Sequence, residues 1–103
     1  MNTKPIEIKF KLTLPKEYVS WAKNVLTPGW NCVGARLYAT PDEVIKATED
    51  AREKYEHIPS SYIAVGTFKD AYLMLTPDGD LWRLGSRFRS LNAKFGSVAK
   101  TLK

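Results

Sequence analysis

The segment from 62 to 84 limits the fold of this chain more than any other. Three short strand-like runs, Tyr62–Phe68, Ala71–Thr76 and Leu81–Leu84, are separated by Lys69-Asp70 and by Pro77-Asp78-Gly79-Asp80. The first connection has the two-residue length of a hairpin. In the second, Pro fixes φ and Gly accepts a positive φ, as a tight turn requires. An antiparallel three-stranded meander is expected.

Other elements are read from periodicity. Ile6, Ile8, Phe10, Leu12 and Leu14 alternate with Glu7, Lys9, Lys11 and Thr13, a period of two that predicts a strand with its apolar face inward. Pro15 closes that strand and suits the first turn of a helix. Tyr18, Trp21, Ala22 and Val25 recur at helical spacing, and Thr27-Pro28-Gly29 ends them. A second strand is expected within Cys32–Tyr38, weakened by Gly34. Thr40-Pro41-Asp42-Glu43 is a helix start with a capping residue, a proline and a capping-box acid in order. Val44, Thr48, Ala51 and Tyr55 form the inner stripe of that helix, and Glu49, Asp50, Glu53 and Glu56 its wet face. His57 falls in its last turn, before the break at Pro59-Ser60-Ser61.

Phe88, Leu91, Phe95, Val98, Ala99 and Leu102 recur at helical spacing, with Ser86 as a cap. Gly96 costs such a helix about 1 kcal/mol relative to Ala. The opposite face would carry Arg87, Arg89, Lys94, Lys100 and Lys103. The expected order is β-α-β-α-β-β-β-α. Strands run together after mixed units, so the fold class is α+β: two layers, a mainly antiparallel sheet of four to five strands, helices on one face.

The length of 103 residues fits one domain, residues 1–103, and 44% hydrophobic with 12% aromatic residues supplies a core. Such a composition is not that of a disordered chain. A single cysteine, Cys32, forms no internal disulfide and favours the reducing cytosol. Met1–Pro5 lacks the apolar run of a signal peptide, and no stretch nears the ~18 consecutive apolar residues of a membrane span. A soluble, cytoplasmic protein is expected.

Charge is segregated within the net +5. Residues 1–40 carry six cations and two acids, and residues 41–80 four cations and nine acids. Residues 81–103 carry Arg83, Arg87, Arg89, Lys94, Lys100 and Lys103 with no acid. Clustered positive charge attracts phosphates or an acidic partner. Trp82-Arg83, Arg87-Phe88-Arg89 and Lys94-Phe95 also interleave rings with cations, a pattern used on nucleic acids. Phe88 and Phe95 are expected in the buried stripe of the last helix. Trp82 and Trp30 are the candidate anchors for a partner, because large rings often contribute most of the binding energy.

The residues for catalysis or metal binding are sparse. His57 and Cys32 are each alone, too few for a structural zinc. Ser60 and Ser61 could join His57 in a triad only on paper, for they lack the strained elbow that exposes a nucleophile. Asp78 and Asp80 flank a turn that offers too few oxygens for calcium. The glycines are scattered, without a phosphate-cradling pattern. No enzyme activity, cofactor or metal is expected.

The helix–three strands–helix order of residues 41–103 resembles that of double-stranded-RNA-binding domains, whose last helix begins with a lysine cluster facing phosphates. Arg87 and Arg89 stand roughly where that cluster would start, without the Lys-Lys-x-Ala-Lys run, and the first 40 residues are extra. The stretch from Tyr72 to Trp82 is similar to the late hairpin of SUKH-type bacterial immunity proteins. Neither likeness transfers a residue role. The expected function is a non-enzymatic binding module that engages nucleic acid or a nucleoprotein through Arg83, Arg87, Arg89, Lys94 and Lys100. The alternative is an inhibitor or adaptor of bacterial or phage accessory type that occupies a partner protein. A sheet edge could serve homodimerisation.

Overall fold

The computed structural model describes residues 2–24, 31–32, 35–85 and 88–94. Three helices, α1 (Lys4–Phe10), α2 (Lys16–Asn24) and α3 (Pro41–Lys54), accompany β1 (Asn31–Cys32), β2 (Ala35–Leu37), β3 (Ile63–Phe68), β4 (Ala71–Leu75), β5 (Asp80–Leu84) and β6 (Phe88–Lys94). The class is α+β. The strands form one antiparallel meander in the order β1-β2-β3-β4-β5-β6, in which β1 is only a two-residue bridge. No helix among the described residues is long and apolar enough to cross a membrane.

The central meander matches the sequence reading almost residue for residue. Lys69 takes a left-handed φ of 55° in the β3–β4 turn. In the β4–β5 turn Gly79 has φ 89°, and its N–H donates to the Thr76 carbonyl at 3.0 Å. The Thr76 hydroxyl accepts from the Asp80 N–H at 3.0 Å, which ties both ends of that turn together. Helix α3 starts as expected: Thr40 is extended, and its hydroxyl accepts from the Glu43 N–H and donates to the Glu43 carboxylate at 3.0 Å.

Three expected elements differ. The N-terminal alternation forms helix α1 instead of a strand. Pro5 in its first turn, Glu7 near its N-terminus and Lys9 near its C-terminus all suit a helix, and Lys11 ends it in the left-handed region. Ile6 is fully buried whereas Ile8 is 69% exposed, which a strand with both on one face would not give. The single strand expected within Cys32–Tyr38 is two, β1 and β2, paired antiparallel through Cys32 and Ala35. Residues Phe88–Lys94 extend as β6 against β5 where a helix was expected. The connection between β5 and β6 is only three residues long, and pairing gives the backbone of β5 partners along its second edge. The order therefore also departs from that of double-stranded-RNA-binding domains. The expected Ser86 cap and the rest of the expected stripe, Phe95 to Leu102, lie outside the described residues.

Two apolar clusters hold the sheet. One face of the sheet gives Ile63, Val65, Leu73, Leu75 and Leu81, which pack with Ile6 of α1, Tyr18, Trp21 and Ala22 of α2, and Val44 of α3. The register shift between Ala64 and Gly66 is a one-residue bulge: Val65 is the extra residue on β3, and Gly66 is the one that opposes Leu73. The second cluster joins Ala64, Met74 and Leu84 to Ala47 and Ala51 of α3. Helix α3 thus serves both clusters by lying along the edge of β3 that short β2 leaves open. Thr48 closes that edge: its buried hydroxyl accepts from the Ala64 N–H at 2.9 Å and donates to the Val44 carbonyl at 2.7 Å.

Candidate nucleic-acid interface

In an antiparallel ladder, residues directly opposite one another share a face. On β5 and β6 the register pairs Arg83 with Arg89, and Leu73 of β4 opposes Arg83. Leu73 belongs to the helix-covered face, so the two arginines extend that face beyond the helices. Both are exposed. A cation on the edge strand β6, such as Arg89, blunts unwanted strand pairing, and each guanidinium carries its own planar fork of donors suited to phosphate oxygens.

The other face of the same hairpin is aromatic. The register aligns Arg36, Thr67, Tyr72, Leu84 and Phe88 in one row, and Ala64, Met74 and Trp82 in the next. The Trp82 and Phe88 rings stack at 4.7 Å with 20° between planes. Tyr62 closes on both, at 6.5 Å from Trp82 and 5.9 Å from Phe88. Phe88 is 36% exposed, whereas Tyr62, Tyr72 and Trp82 are half-buried. Farther along this face the Tyr38 hydroxyl is pushed above its ordinary pKa, first by burial and then by Tyr72 and Glu43, and it remains a neutral donor at physiological pH.

The expected basic helical face is therefore redistributed. Arg83 and Arg89 come together on strands, and Trp82 lies on the opposite side of the hairpin from them. The Lys94 backbone is at the far end of β6, opposite Asp80. Arg87, Lys100, Lys103 and Trp30 lie outside the described residues. Phe88, expected in a buried stripe, is instead the most exposed ring of the cluster, because in a strand it shares a face with Leu84, at the outer end of the row. His57 is exposed in the loop after α3, and the Ser60 carbonyl accepts from the Arg52 guanidinium.

Sequence reasoning passed over three contributors. Arg36 adds a cation at the β2 end of the aromatic row, and Tyr62 and Tyr55 flank its rings. The signal for Arg36 was the alternation around Leu37, which puts it on the face opposite to the buried leucine. The sequence puts Tyr55 at the end of the inner stripe of α3 and Tyr62 at the first position of a strand, so neither stands out as a site residue; in the structure each lies just outside a regular element.

No family model, curated protein or solved structure matches the chain. The functional reading rests on the geometry.

Proposed function

We propose that this domain is a non-enzymatic nucleic-acid-binding module whose phosphate contact is the basic β5–β6 hairpin. The observation that supports it is the Arg83–Arg89 cross-strand pair, exposed at the sheet's end in a stretch of six cations and no acids. Arg87, between the two strands, adds a third cation within seven residues of sequence, and Lys94 and Lys100 extend the same charge. A two-stranded ribbon of this kind is one of the elements that fits against a nucleic-acid groove or backbone.

The test is fluorescence anisotropy with labelled DNA and RNA across a salt series. Each neutralised phosphate contributes a slope of about 0.7 for single strands and about 0.9 for duplexes in log K against log salt. Replacing both Arg83 and Arg89 with Gln should lower the magnitude of the slope by roughly 1.4 to 1.8. Absence of binding to every strand and duplex at low salt would remove the proposal.

A second reading, occupancy of a partner protein, draws on the exposed Phe88 ring stacked on Trp82. A single protein retained after nuclease treatment, and lost on Trp82→Ala, would favour it.

A further inference from the structure

One concavity has no part in the phosphate contact. Lys54, Tyr55, His57 and Ile58, where α3 ends, face Leu84 and Phe88 of the hairpin across a cleft of about 340 Å³. That is at the small end of the range for ligand clefts, roughly 300–1,000 Å³. The geometry points to a site for one unpaired nucleobase, so that the ligand of the module is single-stranded nucleic acid rather than a duplex. This inference rests on the nucleic-acid reading above and names its substrate class.

The chemistry of the walls selects a flat, partly polar occupant. Tyr55, Ile58, Leu84 and Phe88 supply apolar surface, whereas Lys54, a donor whose ammonium sits 5.7 Å from the Tyr55 ring centroid, and Glu56, an acceptor, line the same cleft. A base needs both, a π-face to stack and an edge to hydrogen-bond. Phe88 is held beforehand by its stack on Trp82, so a base laid against it would extend an existing stack and freeze few additional rotamers.

Charge placement decides between single and double strands. Phe88 and Arg89 are consecutive on β6 and point to opposite faces, and among the described residues no strand pairs with the outer edge of β6. A single strand passing around that edge can leave phosphates at Arg89 and Arg83 while one base enters the cleft. The bases of a duplex are paired and stacked inside the helix, where the cleft cannot reach them.

The experiment compares three labelled probes by anisotropy: a short oligodeoxycytidine, an abasic strand of the same length and charge, and the corresponding duplex. The base-containing strand should bind about 5- to 100-fold more tightly than the abasic strand, the range expected for stacking of one base on an aromatic ring. Phe88→Leu, which keeps apolar bulk and removes the ring, should erase that preference and leave the salt slope unchanged. Equal affinity for abasic and base-containing strands in the unmodified protein would overturn the base site while the phosphate contact stood. A Phe88→Leu protein with the full preference would overturn it as well. Binding to none of the three would end both readings, and if a captured protein competes at Phe88 instead, the cleft belongs to that partner.

Discussion

Replacing Thr48 with Val tests the claim that a helix side chain closes the open edge of β3. The two side chains have nearly the same shape, so the exchange leaves packing almost intact and removes one oxygen. That oxygen is fully buried and is the acceptor for the Ala64 N–H at 2.9 Å. Ala64 is itself fully buried, so water cannot replace the lost partner. An unsatisfied buried donor costs roughly 1–3 kcal/mol. The other bond, from the hydroxyl to the Val44 carbonyl, adds little, because that carbonyl keeps its place in the ladder of α3. The expected loss is thus about 1–3 kcal/mol, or a fall in Tm of roughly 4–8 °C per kcal/mol for a domain of this size.

Thr48→Ser is the companion variant. It keeps the oxygen and deletes one buried methyl group, which costs about 1 kcal/mol. Stability alone could confuse the two, so the decisive readout is hydrogen exchange at the Ala64 amide. Exchange there should accelerate in Thr48→Val beyond the change in global stability and should follow global stability in Thr48→Ser. A Thr48→Val protein within about 0.3 kcal/mol of the parent, with the Ala64 amide still protected, would refute the edge-closing role.

Four further outcomes follow from the same structure. Gly66→Ala should cost more than about 3 kcal/mol or prevent folding, since a Cβ there would run into the Arg36 carbonyl and lie 2.9 Å from the Leu37 Cα; Gly85→Ala, which meets only the Ala71 methyl at 3.4 Å, is the tolerated control in the same urea titration. Ile6→Ser should lose several kcal/mol, about 2–5, whereas Ile8→Ser should stay within about 0.5 kcal/mol, measured by thermal melting; equal losses would restore the strand reading of the N-terminus. Stability should fall above about pH 10, because burial raises the Tyr18 hydroxyl pKa well above its ordinary value and only the unfolded chain then ionises there. The native state binds the extra proton, so the slope is negative, at most about 1.4 kcal/mol per pH unit from Tyr18, and Tyr18→Phe should flatten urea midpoints measured between pH 9 and 11. Arg83→Gln with Arg89→Gln should leave the melting temperature unchanged within about 2 °C while lowering the salt slope of nucleic-acid binding, because both side chains are exposed.

The parts of the fold that were legible in the sequence are those whose signals are local. The Pro77-Asp78-Gly79-Asp80 turn needs a positive φ at Gly79 whatever surrounds it, and Thr40 caps α3 through atoms three residues away. The N-terminal segment misled because periods of two and of about four coincide at every fourth residue. Ile6 and Phe10 suit either a strand face or a helix face, and only Ile8 separates the two. What weighs for the helix is Pro5 at its start and the charge order Glu7 then Lys9. These are weak terms against an alternation of nine residues, but they win once Ile6 can enter the core between α2 and α3.

Residues Phe88–Lys94 failed for the opposite reason, because their conformation is decided by a neighbour. Their apolar spacing favours a helix, yet β5 offers a ladder only three residues away, and Phe88 gains a stack on Trp82 that no helix of this segment would provide. The same exchange reorders the candidate site. In a helix, Arg87, Arg89 and Lys94 would have lined one face with Phe88 buried behind them. In a strand, alternation sends Arg89 to one side beside Arg83 and Phe88 to the other beside Trp82. A ligand that used only phosphate contacts would need one of these faces, and a ligand that used only stacking would need the other. A flexible polyanion whose bases can leave the path of its backbone could use both at a single strand edge, so under the proposed reading this juxtaposition, more than the net charge of +5, would favour a single-stranded ligand over a duplex.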